Sequence, residues 1–234
     1  MKALLLAAGL GSRLRPITDS TPKCLVLING KPLLEYWLEA LTLLGVESIA
    51  INTHYLADKV AEYIESSKYS NLVELIYESE LMGTAGTLKN NLDYWGNDDL
   101  LVAHADNLCL CSFNDFVAAF NSRPNSCLGT MMTFDTDSPS TCGIVDEDEN
   151  GLVVGFYEKV EYPPSNNANA AVFIFSSAVK MLISELKVHE NDISLYLIPK
   201  LLSRINVWKN NGYMRDVGTQ ESLNQANRDL TYIK

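Results

Sequence analysis

The chain has 234 residues, 47% of them hydrophobic and 20% charged, which excludes a disordered chain and a bilayer-embedded one and suits a globular domain with one sizeable core. Its 18 basic residues stand against 29 acidic ones, and a net charge of -11 excludes a broad basic face for a phosphate backbone, so no nucleic-acid partner is expected. A small phosphate ligand stays open, because a few local cations and backbone N–H groups can bind one inside an acidic protein.

In chain order, Ala3–Ala8 reads as a buried apolar strand, followed by a loop rich in Gly, Ser, Arg and Pro up to Lys23. Pro32 opens a helix that runs to Leu44 and stops at Gly45. Ser48–Asn52 reads as a strand, Leu56–Ser66 as a helix and Leu72–Tyr77 as a third strand. A helix follows the Gly83-Thr84-Ala85-Gly86 turn as far as Tyr94, and Leu100–Ala105 is a fourth strand ending at Asp106. The second half shifts to shorter strands. Gly143–Glu147 and Leu152–Lys159 form a hairpin about Asp148–Gly151, and Ala170–Phe175 is a strand opened by Asn169. Helices follow at Ala178–Leu186 and Ile193–Leu202, and Ile205–Trp208 with Tyr213–Val217 bracket Lys209-Asn210-Asn211-Gly212 as a hairpin. Strand–helix–strand alternation implies an α/β fold, a mostly parallel or mixed Rossmann-like sheet flanked by helices. Ligands in such sheets lie beyond the carboxyl ends of the strands, so the loops after Ala8, Tyr77 and Ala105 should converge. No repeat, low-complexity tract or linker interrupts 1–234, which reads as one domain.

Cys24, Cys109, Cys111, Cys127 and Cys142 form no CxxC pair and no zinc spacing, and His54, His104 and His189 add no ligand pattern. An odd count of this kind suits reduced thiols and a cytoplasmic protein. The run Ala3–Ala8 imitates a signal peptide but is very short and leads straight into Gly9, Gly11 and Arg13. No stretch reaches bilayer length, so no membrane partner is expected.

The chemistry starts at Ala7-Ala8-Gly9-Leu10-Gly11-Ser12-Arg13-Leu14-Arg15-Pro16. Two glycines after a first strand let backbone N–H groups approach phosphate oxygens. No GK[ST] follows, so this is not a Walker A loop, and Leu14 stands where a dinucleotide fingerprint needs its third glycine. What remains is a Gly-x-Gly-x-Arg loop with Lys23 further on, two fixed cations where a triphosphate would place its charge.

The run LAAGLGSRLRPIT…TPKCL resembles the signature of the sugar-phosphate nucleotidyltransferases, and the likeness continues through GTAG, AHADN, FYEK, NAAVFIF and DVGT. The resemblance implies a glycosyltransferase-A-like nucleotidyltransferase fold without a C-terminal left-handed β-helix, with a nucleotide-binding half (1–110) and a sugar-phosphate-binding half (111–234). It implies that Arg13 and Lys23 are catalytic. It places the nucleoside triphosphate against Leu6, Ala8, Gly9, Gly11, Ser12, Arg13, Glu78, Gly83 and Thr84. Asp106 and Asp216 would hold Mg²⁺, with Ala105 standing where the family usually has glycine. Asn107, Gly143, Glu158, Lys159 and Asn169 would hold the sugar 1-phosphate.

Either aspartate alone could be a turn or cap residue, and a Glu-Lys pair in isolation is commonly a solvated one. Glu78 could accept from both the N1–H and the exocyclic amine of guanine, whereas uracil offers one such donor, and the GTAG spelling is similar to the GTP-using mannose-1-phosphate branch. The expectation is therefore GTP with a mannose- or heptose-1-phosphate type acceptor. Open alternatives are a uridylyl- or cytidylyltransferase acting on N-acetylmuramate 1-phosphate or phosphocholine, and a catalytically silent nucleotide-sugar sensor. A homo-oligomer is compatible with the sequence.

Overall fold

The computed structural model describes residues 1–232. In chain order the first elements are β1 (Lys2–Leu6), the short β2 (Leu27–Ile28) and β3 (Lys31–Pro32), then α1 (Leu33–Leu44), β4 (Ile49–Thr53), α2 (Ala57–Ser66) and β5 (Val73–Tyr77). Next come α3 (Thr84–Asn90), α4 (Leu92–Trp95), β6 (Leu100–His104), β7 (Asn107–Leu110), α5 (Phe113–Asn121) and β8 (Gly129–Asp135). The chain continues through β9 (Gly143–Glu147), β10 (Val153–Glu158), β11 (Asn167–Phe175), α6 (Val179–Ser184) and α7 (Ile198–Leu201). It closes with β12 (Ile205–Lys209), β13 (Tyr213–Asp216) and α8 (Gln220–Asp229). The fold is α/β, with mixed parallel and antiparallel strand pairing.

Two compact units divide the chain. The first takes Met1–Leu81, Ala103–Cys111 and the stretch from Gly212 onward; the second takes Met82–Val102 and Ser112–Asn211. In the first unit β1, β4 and β5 form a parallel ladder, with Leu6 opposite Asn52 and Asn52 opposite Ile76. Their carboxyl ends therefore share one edge, and the Ala105 N–H donates to the Leu6 carbonyl at 3.0 Å, which delivers Asp106 to that edge. β13 pairs antiparallel with β7, Asp216 opposite Asn107. Apolar side chains from distant parts of the sequence lock this arrangement: Leu14, Val26, Ile28, Leu33, Leu108, Val217, Leu223 and Ala226 make one buried cluster. Each fully buried leucine contributes about 1.5–3 kcal/mol of burial free energy, so the loop that carries Arg13 is anchored by its neighbour Leu14.

The second unit is built on β8, β9, β10, β11 and β12. β9 and β10 form the expected antiparallel hairpin, and β8 pairs antiparallel with β11 and parallel with β12. Within β11 the register shifts between Asn169 and Phe173, where Ala171 adopts φ +54° and its N–H is capped by the Asn169 Oδ1 at 2.9 Å. Asn169 thus lies inside a strand, at a bulge, and not at its start.

The expected hairpin of Ile205–Trp208 with Tyr213–Val217 is absent. β12 pairs with β8 and β13 pairs with β7, and the Asn210 N–H donates to the Thr133 carbonyl at 2.7 Å, prolonging the β12–β8 ladder instead of closing a turn. Non-local pairing overrides the Asn-Gly turn signal here. Trp208 accordingly packs against the Phe116 ring, 5.4 Å between centroids. The helix after GTAG breaks at Asn91, whose Nδ2 donates to the Thr87 carbonyl, and Ile193–Leu197 is a π-helical segment leading into α7. β7, α5 and β8 were not legible from periodicity.

At the start of α3, Gly83 has φ +73° and ψ 164°, and a Cβ there would lie 2.5 Å from the Asn191 carbonyl oxygen. That oxygen accepts from the Ala85 N–H at 2.9 Å, and Thr84 Oγ1 accepts from the Ile193 N–H at 2.8 Å. Gly83→Ala combines a glycine-only backbone conformation with a collision against backbone, and a loss of about 1–3 kcal/mol is expected in urea unfolding. An unchanged midpoint would show that the Asn191 segment yields freely.

Candidate functional site

In the first unit three helical turns (12–14, 17–19 and 23–25) carry the loop after β1. Gly11 turns the chain with φ +63°, its carbonyl accepting from the Leu14 N–H at 2.9 Å and from Thr18 Oγ1 at 2.8 Å. Ala8 is buried, whereas Gly9 and Arg13 are exposed, as is Ser12. The last turn buries Lys23, whose side chain is only 8% exposed. Its Nζ reaches Asp106 Oδ2 at 2.5 Å and Asp216 Oδ1 at 3.4 Å, so a single ammonium bridges carboxylates from two different elements. Arg13 lies at the rim of this cluster, 4.0 Å from Asp216 Oδ2.

The cluster is held from behind. The Val217 N–H donates to the Asp106 carbonyl, Ser222 Oγ donates to the Asp216 carbonyl, and Thr219 caps α8 by accepting from the Ser222 N–H. Trp37 Nε1 donates to the Asn107 carbonyl at 2.8 Å. Burial pushes the Asp106 carboxyl up, but the Lys23 ammonium, the neighbouring His104 and the Lys23 hydrogen bond outweigh it, and the group is held below its ordinary value of 3.8. Next to it, burial and the Asp106 charge push the Cys24 thiol up to about 12, which keeps it a packing residue. Glu78 is almost wholly buried; its Oε1 accepts from Asn52 Nδ2 at 3.0 Å.

The second unit carries its own polar group. Glu158 and Lys159 form an ion pair at 3.0 Å, with Lys159 at φ +50° and 65% exposed. Glu158 pairs across to the buried Gly143, and β9 runs beside the β11 segment that carries Asn169. Gly83 and Thr84 also belong to this unit.

A nucleotidyl transferase family model matches residues 2–232. The chain belongs to the nucleotidyl transferase family. It is 31% identical, over its whole length, to a Sulfolobus acidocaldarius protein provisionally named a mannose-1-phosphate guanyltransferase, and covers 64% of that protein. It is 30% identical, over 98% of its length, to a glucose-1-phosphate thymidylyltransferase of Streptomyces antibioticus, and covers 66% of it. The chain thus spans about two thirds of the length of these relatives. Its fold also matches a crystal structure of UDP-glucose pyrophosphorylase with UDP-glucose, TM-score 0.83 at 23% identity, covering 100% of this chain and 99% of that one.

In this chain the residues expected to hold Mg²⁺ fit a hard cation. Asp106 and Asp216 bring two carboxylates onto one position already occupied by a cationic group, and Mg²⁺ is characteristically held by few carboxylates plus substrate phosphates. Cys109 and Cys111 lie 3.9 Å apart at sulfur, but among the described residues no group of three or more His, Cys, Asp or Glu side chains could hold a metal. A further residue of the site is Asn52; its signal in the sequence is an amide side chain one residue before the end of a strand whose five members are all buried.

The Asp106 shift has a measurable consequence. With the folded value lowered, the stabilisation is present above the unfolded value of 3.8 and is lost as pH falls through the folded one. Urea midpoints of the wild type should therefore fall on acidification below that range, and those of Asp106→Asn should fall less. Parallel profiles would remove the ion pair from the stability account.

Proposed function

We propose that the protein joins a nucleoside triphosphate to a sugar 1-phosphate, releasing pyrophosphate. The observation that carries this reading is Lys23 lying on both Asp106 and Asp216, with Arg13 at the rim. An oxygen of the sugar phosphate forms a bond to the α-phosphorus as the bond to the bridging oxygen breaks, and pyrophosphate leaves in line. The nucleophile is already an anion, so no general base is required, and catalysis is positioning and charge neutralisation. Lys23 binds the α-phosphate and the sugar phosphate, and Arg13 stabilises charge developing on the α-phosphate and the leaving pyrophosphate. Backbone N–H groups from Ala8 to Ser12 meet the triphosphate. Asp106 and Asp216 would hold Mg²⁺, which when bound supplies Lewis-acid polarisation of phosphoryl oxygens. Glu158, Lys159, Asn169 and the backbone at Gly143 receive the sugar 1-phosphate. Five free thiols support a reducing, cytoplasmic setting.

For the nucleotide we favour GTP, and for the acceptor a mannose- or heptose-1-phosphate. The support is a carboxylate at Glu78, the GTAG turn and the guanyltransferase relative. A second reading, a thymidylyl- or uridylyltransferase acting on glucose 1-phosphate, is supported by the thymidylyltransferase relative at nearly equal identity. Pyrophosphate release measured for GTP, UTP, CTP, dTTP and ATP against mannose, heptose, glucose and N-acetylmuramate 1-phosphates separates them. The favoured pair should show the highest kcat/KM. A maximum with dTTP or UTP and glucose 1-phosphate replaces it with the second reading, and no release with any pair contradicts both.

A further inference from the structure

Asn52 is 3% exposed at the carboxyl end of β4, between β1 and β5. A polar side chain so placed needs partners, and two of them are informative. Its Oδ1 accepts from the Ala7 N–H at 2.7 Å, and its Nδ2 donates to Glu78 Oε1 at 3.0 Å. Ala7 is the first residue beyond β1, where the phosphate loop departs; Glu78 is the first residue beyond β5. One amide therefore ties together the first loop residues of both neighbouring strands. The task needs an acceptor and a donor on one short side chain. Asparagine supplies both, whereas aspartate lacks the donor and an aliphatic residue lacks both. The backbone of Glu78 is fixed independently, its N–H donating to the Thr53 carbonyl at 2.8 Å and its carbonyl meeting His54 Nδ1 at 2.8 Å. What Asn52 adds is the orientation of the carboxylate and its spacing from the phosphate loop.

We propose that Asn52 is a positioning residue for nucleotide binding, holding Ala7 and the Glu78 carboxylate at a fixed spacing so that one nucleoside triphosphate meets both. The identity of that ligand rests on the nucleotidyl-transfer reading above. Truncating Asn52 frees the loop entry and the carboxylate from one another, so the first loss is in nucleotide affinity and base discrimination. The acceptor sugar phosphate is not touched by this relay.

The test compares the wild type with Asn52→Ala and Asn52→Asp. Dissociation constants for GTP, UTP, CTP and dTTP come from calorimetric titration, the sugar 1-phosphate KM from pyrophosphate release, and folding from circular dichroism melts. Asn52→Ala should weaken the preferred nucleotide by about tenfold, the scale of losing one or two buried hydrogen bonds, and narrow the spread among bases. The sugar 1-phosphate KM should hardly move. Asn52→Asp places two carboxylates face to face and should weaken binding similarly. Unchanged nucleotide affinity in a folded Asn52→Ala protein overturns the assignment. So does equal weakening of both substrates alongside a lower melting temperature. Turnover with unaltered nucleotide affinity in Asn52→Ala removes this role alone. Nucleotide binding without turnover in the wild type removes the transfer reading, and the affinities still decide Asn52. A wild type that binds no nucleoside triphosphate removes both.

Discussion

Lys23→Ala is expected to lower kcat by about a thousandfold, the scale seen when a preorganised cation or donor aimed at developing negative charge is lost. The geometry makes this the largest single effect in the molecule. Lys23 is buried in a short helical turn, and its ammonium lies between Asp106 and Asp216. Its removal leaves two carboxylates without their shared cation. Asp106 is 30% exposed and Asp216 59% exposed, so water screens part of the penalty. We expect a stability loss of about 1–3 kcal/mol, less than for a fully buried pair. Lys23→Arg keeps the charge but must fit a larger planar group into a buried position, and should recover little of the rate. Single-turnover rates beside urea midpoints check both parts, and a Lys23→Ala rate within a few-fold of wild type would remove the residue from the mechanism.

Asp216→Ala should separate activity from stability more cleanly. Its side chain is exposed, and the Ser222 hydroxyl that fixes this part of the chain donates to the Asp216 backbone carbonyl, which alanine retains. A change in unfolding free energy below about 1 kcal/mol is expected, as for exposed ion pairs. Turnover should fall by about a hundredfold or more, because one of two carboxylates available to a divalent cation is lost together with the acidic neighbour of Arg13. The loss should deepen at low Mg²⁺ and ease partly as Mg²⁺ is raised. A variant as active as wild type at every Mg²⁺ concentration would mean that Asp216 holds no metal and that its meeting with Lys23 is structural.

Much of this is legible in the sequence. The parallel ladder of β1, β4 and β5 follows from local patterns, apolar runs separated by an amphipathic helix and polar turns, and those patterns place the loop after Leu6 and the residue Asp106 at one edge. That Asp216 joins them was legible only through the likeness of the DVGT run to a family signature. Local reading paired its strand with Ile205–Trp208, whereas β13 pairs with β7, about one hundred positions earlier in the chain. Pairing at that separation leaves no mark in a short local window. The bulge at Asn169 was hidden for a related reason: Ala171 adopts φ +54° because strand register and the Asn169 side chain demand it, not because of local propensity. Asn52 shows the converse case, in which a visible residue went unread because its partners Ala7 and Glu78 become neighbours only once three strands are aligned.

The central claim, transfer of a nucleotidyl group from a triphosphate to a sugar phosphate, is tested most directly by following the α-phosphorus itself. The purified protein is incubated with Mg²⁺, GTP labelled at the α-phosphorus and mannose 1-phosphate, then with each other nucleotide and acceptor pair, and the products are separated and counted. The account predicts that the label moves into a phosphatase-resistant nucleotide sugar with one pyrophosphate released per transfer, and that Lys23→Ala abolishes both. Label remaining in the triphosphate, or appearing only in free nucleoside mono- or diphosphate, for every pair would contradict it.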